Sequence, residues 1–140
     1  MSRIFWDANL FIYLVEDHPA LADQVVALRR RMLEREDELC TSALALGEVL
    51  VKPIERGDLG LQRRYEQAFA AGTTVLPFDR AAARRYAAIR ADRAIRAPDA
   101  IQLACAAEAG IDLFVTNDER LSRKIVPGIQ FITSLERAFL

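Results

Sequence analysis

The chain has 140 residues, 52% of them hydrophobic, which is enough apolar mass for one core and excludes a disordered segment. A formal net charge of −1 excludes a global basic field for nucleic acid, and no run approaches the roughly 20 apolar residues that span a bilayer. The cations are seventeen arginines against only Lys52 and Lys124, and the planar arginine fork suits bidentate phosphate contacts.

Ile4, Phe5 and Trp6 form a short apolar strand that runs into Asp7. An acid so early leaves no room for a secretory apolar region, and a cytoplasmic location without a membrane segment is expected. Asn9 leads into an apolar helix over residues 10–15, followed by a turn at Asp17-His18-Pro19. His18 is the only histidine and reads as a turn residue, so a histidine-rich metal site or a histidine pair is excluded. Leu21, Val25, Leu28 and Met32 recur at helical spacing, with Arg29-Arg30-Arg31 beside the stripe as solvated surface.

A second strand is expected over residues 39–41, with Ser42 as the N-cap of a helix over residues 43–51 that carries Glu48. Pro53 and Gly57 break the pattern there. Asp58 opens the next helix, whose stripe is Leu61, Tyr65 and Phe69, and Gly72 stops it. A third strand covers residues 73–76. Asp79 then caps a helix over residues 80–93, with Ala82, Tyr86 and Ile89 inward. Cys40 and Cys105 lie in apolar surroundings and read as buried free thiols, since no spacing suggests zinc or a disulfide framework.

The stretch from Arg96 to Asp118 carries the most information. Ala97 is pushed towards extended geometry by Pro98, and Pro98 suits a first helical turn. Asp99 therefore stands at a helix N-terminus, where the backbone dipole favours a carboxylate. Gly110 ends that helix, and the apolar run 113–115 stops at Thr116-Asn117-Asp118. A last strand is expected over residues 129–132, with Thr133 or Ser134 capping a short terminal helix.

Short apolar strands alternating with helices predict a single α/β domain over residues 1–140, with a parallel sheet covered on both faces. Ligands in such sheets collect beyond the carboxyl ends of the strands, where the strand order reverses. Asp7 and Asp118 each end a strand on that edge, Asp99 starts a helix, and Glu48 follows a strand by about two helical turns. With both helices packed inward, the four carboxylates would meet. Two unit charges 4 Å apart repel by about 4 kcal/mol at an effective dielectric of 20, so such a cluster needs a cation, shared protons or a wide watery separation. Oxygen donors without histidine or cysteine point to Mg²⁺ or Mn²⁺ and not to zinc. A water activated there can attack a phosphodiester in line. Taken singly, each acid is better explained as a helix cap or a solvated side chain, and it is their joint placement that points to a site.

Trp6-Asp7-Ala8-Asn9, Ser42 with Glu48, Ala97-Pro98-Asp99-Ala100 with Ile101-Gln102-Leu103-Ala104, and Val115-Thr116-Asn117-Asp118 together resemble the motifs of PIN-domain ribonucleases. Size and coverage of nearly the whole chain are most similar to VapC-type toxins of toxin–antitoxin pairs. The resemblance implies a three-layer α/β/α sandwich with a central parallel sheet of about five strands. It implies metal-dependent cleavage of RNA to a 5′-phosphate and a 3′-hydroxyl, with Asp7, Glu48, Asp99 and Asp118 as the acidic metal site. Asn9, Thr116 and Asn117 match positions that support those acids by hydrogen bonding. It further implies a homodimer and a small VapB-like antitoxin whose C-terminal segment blocks the site.

Two other readings compete. Asp7 as the nucleophile of an aspartyl-phosphate phosphatase wants a second aspartate at position 9, which is Asn9, and a well-placed lysine. A non-catalytic module would keep the fold and dock RNA or a partner through arginines such as Arg93 and Arg96.

Overall fold

The apolar runs of the sequence become strands in the computed structural model, which describes residues 1–138. In chain order these are β1 (Arg3–Trp6), β2 (Glu38–Ser42), β3 (Thr73–Leu76), β4 (Leu113–Thr116) and β5 (Phe131–Ser134). They form one parallel sheet in the order β3-β2-β1-β4-β5. β1 is central, and the chain builds outwards from it in both directions. The strand order therefore reverses at β1, beside β4.

Six α-helices cover the sheet among the described residues: α1 (Ala8–Val15), α2 (Ala22–Glu34), α3 (Ala43–Arg56), α4 (Leu59–Ala70), α5 (Arg80–Ile89) and α6 (Ala97–Ala109). Period-two alternation in β1 sends its side chains to opposite faces. Phe5 stacks on Phe114 with ring centroids 4.6 Å apart, in a cluster with Ala82 and Ile89 of α5 and Leu103 and Cys105 of α6. Ile4 and Trp6 enter the other cluster with Phe11 of α1, Met32 of α2, Val49 of α3, and Tyr65 and Phe69 of α4. The expected α/β/α sandwich is what the chain forms. Both cysteines are buried and free, and desolvation pushes each thiol up to about 11. No helix among the described residues is long and apolar enough to cross a membrane.

Several boundaries differ from the sequence expectation. α1 begins at Ala8, directly after Asp7, because the Asp7 carboxylate accepts the Asn9 N–H and caps it. Pro53 does not break α3; the helix runs on to Arg56 with Pro53 buried, and Gly57 ends it at φ 66°. α5 stops at Ile89, four residues early, where Asp92 accepts the Ala94 N–H and turns the chain. β5 lies two residues later than expected because Ile129 is buried in a turn, its N–H donating to Val126 O. Ser134 ends that strand, and its hydroxyl accepts the Arg137 N–H in a turn. Among the described residues no terminal helix follows, and 139–140 lie outside them.

Candidate functional site

The reversal point of the sheet places Asp7 first. Its backbone extends β1 by one bond to Val115 O, and its half-buried carboxylate closes over the start of α1. One oxygen accepts the Asn9 N–H at 3.1 Å, and the other accepts the Thr116 hydroxyl at 2.6 Å. Thr116 is fully buried at the end of β4, and its Oγ1 also accepts the Asp118 N–H at 3.1 Å. One hydroxyl thus links the ends of two adjacent strands. Desolvation raises the Asp7 carboxyl to about 6 even though Thr116 and the backbone N–H groups of Leu10, Asn9 and Asn117 favour its charged form.

Glu48 arrives from α3 and Asp99 from the first turn of α6. Ser42 caps α3 by accepting the Ala45 N–H, and its hydroxyl lies 3.4 Å from Gln102 Oε1. Gln102 is buried and donates from Nε2 to Glu48 Oε1 at 2.9 Å. A polar chain therefore runs from the tip of β2 through α6 to Glu48. Burial raises the Glu48 carboxyl first, the negative charge of Asp99 adds to the rise, and the Gln102 bond opposes it. Arg96 Nε stands 3.5 Å from Asp99 Oδ2.

Asp7, Asn9, Glu48, Arg96, Asp99 and Gln102 line one pocket of about 260 Å³. Asp118 does not line it. That carboxylate accepts the N–H groups of Arg120 and Leu121 and faces an adjoining hollow, which Asp99 also lines. The Asn117 side chain donates to Tyr13 Oη at 3.0 Å, away from the acids, and only its backbone N–H supports Asp7. Three of the four expected carboxylates thus share a pocket, and the fourth is next door. Asp79, by contrast, simply caps α5. Neither lysine lines the Asp7 pocket; Lys124 is paired with Asp92 at 2.9 Å.

Sequence reading gave Gln102 no role of its own. The available signal was an amide on a helix face otherwise made of alanine, leucine and cysteine, since a buried amide needs partners.

The donor set fits a hard divalent cation. All the charged donors are carboxylate oxygens, and burial raises the carboxyls of Asp7 and Glu48, with the charge of Asp99 adding to the rise at Glu48. Among the described residues no three histidine, cysteine or acidic side chains are grouped so that they alone could hold a metal ion. The fit is therefore to an ion that retains water ligands, as magnesium usually does.

A family model described as the PIN domain matches residues 4–125. The chain belongs to the PIN domain family. Among solved structures, this PIN domain shares its fold with VapBC2 from Rickettsia felis, crystallised on a DNA fragment from its promoter, at a TM-score of 0.75 and 15% identity. That match covers 94% of this chain and 98% of the other. DNA-bound VapBC from Salmonella typhimurium matches at a TM-score of 0.69 and 24% identity, over 96% and 99% of the two chains. VapBC-5 from Mycobacterium tuberculosis matches at 0.63 and 20%, over 95% and 99%. No curated protein matches the PIN domain's sequence.

Proposed function

We propose that this PIN domain, one unit over residues 1–140, is a cytoplasmic, Mg²⁺- or Mn²⁺-dependent endoribonuclease and the toxin of a VapBC-type pair. The observation that carries this is the gathering of Asp7, Glu48 and Asp99 in one pocket at the reversal point of a PIN sheet. A homodimer and a VapB-like antitoxin are the partners this reading brings with it. Support for the pairing comes from the solved structures of like fold, which are themselves VapBC proteins.

Asp7, Glu48 and Asp99 would face the divalent ion, one or two of them directly and the others through its water ligands, with Asp118 acting from the adjoining hollow. The bound ion would supply charge neutralisation at the phosphoryl oxygens and acidify a water. The chain's own part is positional. Thr116 and the Asn9 N–H fix both oxygens of Asp7. Gln102 donates to Glu48 Oε1 and fixes that carboxylate in the pocket. Arg96 stands beside Asp99 with a donor fork suited to a phosphate.

The test is direct. RNA incubated with the purified protein and Mn²⁺ should be cut to 5′-phosphate ends, and excess EDTA should spare it. Asp7→Asn and Asp99→Asn should each abolish cutting while circular dichroism stays unchanged. Cleavage that survives in both variants ends the nuclease reading. Calorimetry separates it from a binding module, because only a catalytic pocket should bind Mn²⁺ in a way that Asp99→Asn removes.

A further inference from the structure

Beside the acidic pocket lies a second hollow of about 330 Å³, and Arg96, Asp99 and Leu121 line both. Four cations line this hollow, Arg96, Arg120, Arg123 and Lys124, against two acids, Asp99 and Asp118. The surplus is positive, in a chain whose net charge is −1. Such local excess is unexpected from composition and concentrates where the acids would meet a substrate.

The wall carrying these cations is built, not draped. Asp118 accepts the Arg120 and Leu121 N–H groups and starts a short 3-10 turn at Leu121–Arg123. Leu121 is buried in the core, and Lys124 Nζ ties the segment to Asp92 at 2.9 Å. Lys124 is thereby engaged. Arg120 and Arg123 are not: Arg120 is 80% exposed and only 3.9 Å from Asp118, a contact worth little in water. Arg123 is exposed and has no ion pair among the described residues.

We propose that this hollow seats a phosphate of the substrate strand adjacent to the one being cut, with Arg120 and Arg123 as its contacts and Arg96 bridging the two pockets. The inference rests on the nuclease reading and adds to it the course of the strand past the acids. Arginine rather than lysine at the free positions suits bidentate phosphate contact. The phosphate backbone carries no sequence information, so this seat positions RNA without choosing it.

Binding of a fluorescein-labelled single-stranded RNA of mixed sequence to the intact protein, in EDTA so that nothing is cut, tests the seat by anisotropy across a salt series. Arg120→Gln/Arg123→Gln should flatten the slope of log affinity against log salt by about 0.7, the amount for the one phosphate no longer neutralised. Arg120→Lys/Arg123→Lys should retain most of the slope, and Arg30→Gln/Arg31→Gln on the exposed side of α2 should leave it unchanged. An unchanged slope in Arg120→Gln/Arg123→Gln, or no RNA binding by the parent, overturns the seat. Labelled polyglutamate is titrated in the same way, and a double variant that loses polyglutamate binding while its RNA binding stays intact also overturns the seat, making the hollow a dock for acidic protein. Cleavage in Mn²⁺ is read separately: if it persists while the slope does not move, the seat falls and the nuclease reading stands.

Discussion

Burial lifts the Asp7 carboxyl from an ordinary 3.8 to about 6, although one hydroxyl and three backbone N–H groups all favour its charge. Desolvation outweighs four hydrogen bonds because the strand end and helix start that fix the side chain also keep water from it. The consequence for stability has a definite sign. The folded state binds the proton more tightly than the unfolded chain, so the contribution is full below about pH 4 and is lost as pH rises through 6. A rise from 3.8 to about 6 converts to about 3 kcal/mol. In EDTA, Asp7→Asn should therefore gain on the parent by up to about 3 kcal/mol between pH 4 and pH 7, read from urea midpoints. A gap that stays flat with pH would mean that Asp7 is not desolvated. The position of this acid was legible in the sequence because an apolar run stops on it. Its partner Thr116 was named only through the resemblance and not by local pattern, since it lies 109 residues away and reaches Asp7 only through the β1–β4 pairing. Gln102 escaped for the same reason: its ties to Ser42 and Glu48 need α3 and α6 to pack first.

Two glycines separate backbone conformation from crowding at the scale of elements. Gly110 ends α6 at φ 68°, and a Cβ there would meet nothing within 4 Å. Gly110→Ala should cost only the left-handed conformation, about 1–2 kcal/mol. Gly128 sits at φ 97°, where a Cβ would lie 2.8 Å from Ala107 O and 3.1 Å from Ala107 Cβ of α6. Arg85 at 2.7 Å can swing aside, but the helix backbone cannot. Gly128→Ala should therefore be worse than Gly110→Ala by at least about 1 kcal/mol, the lower end of overpacking penalties. Equal midpoints in guanidinium for the two variants would show that the loop at Gly128 is free to lift off α6. Gly110 was readable as a helix stop because a left-handed cap is a local requirement. Gly128 was not, because its constraint is the approach of a distant helix. The same division explains the remaining boundaries. Strands buried on both faces show as continuous apolar runs and were found. Burial alone cannot tell a strand from a turn, which is why Ile129 was misplaced in β5. Pro53 was read as a stop on local grounds, whereas its burial and the left-handed Gly57 carry α3 one turn further.

At the scale of the whole molecule, one sheet joins two cores that share no side chain. Trp6, the only tryptophan, is fully buried on the face covered by α1 to α4. Cys40 and Cys105 are both buried on the face covered by α5 and α6. Neighbouring residues of β1 serve opposite cores: Phe5 pairs in register with Cys40 and Phe114, while Trp6 pairs with Val115. Neither core can keep its floor once β1 leaves the sheet, so the two faces should fail together as in other domains of this size. Each face carries its own reporter. Tryptophan emission across a urea series should shift at the same midpoint at which a brief pulse of a thiol reagent begins to label both cysteines. Below that midpoint the thiols should stay unlabelled, because burial both hides them and keeps them protonated, with values of about 11. Labelling at lower urea than the emission change would mean that α5 and α6 lift off a sheet still intact. The acidic pocket would then lose Asp99 before Asp7, since α6 carries the first and β1 positions the second.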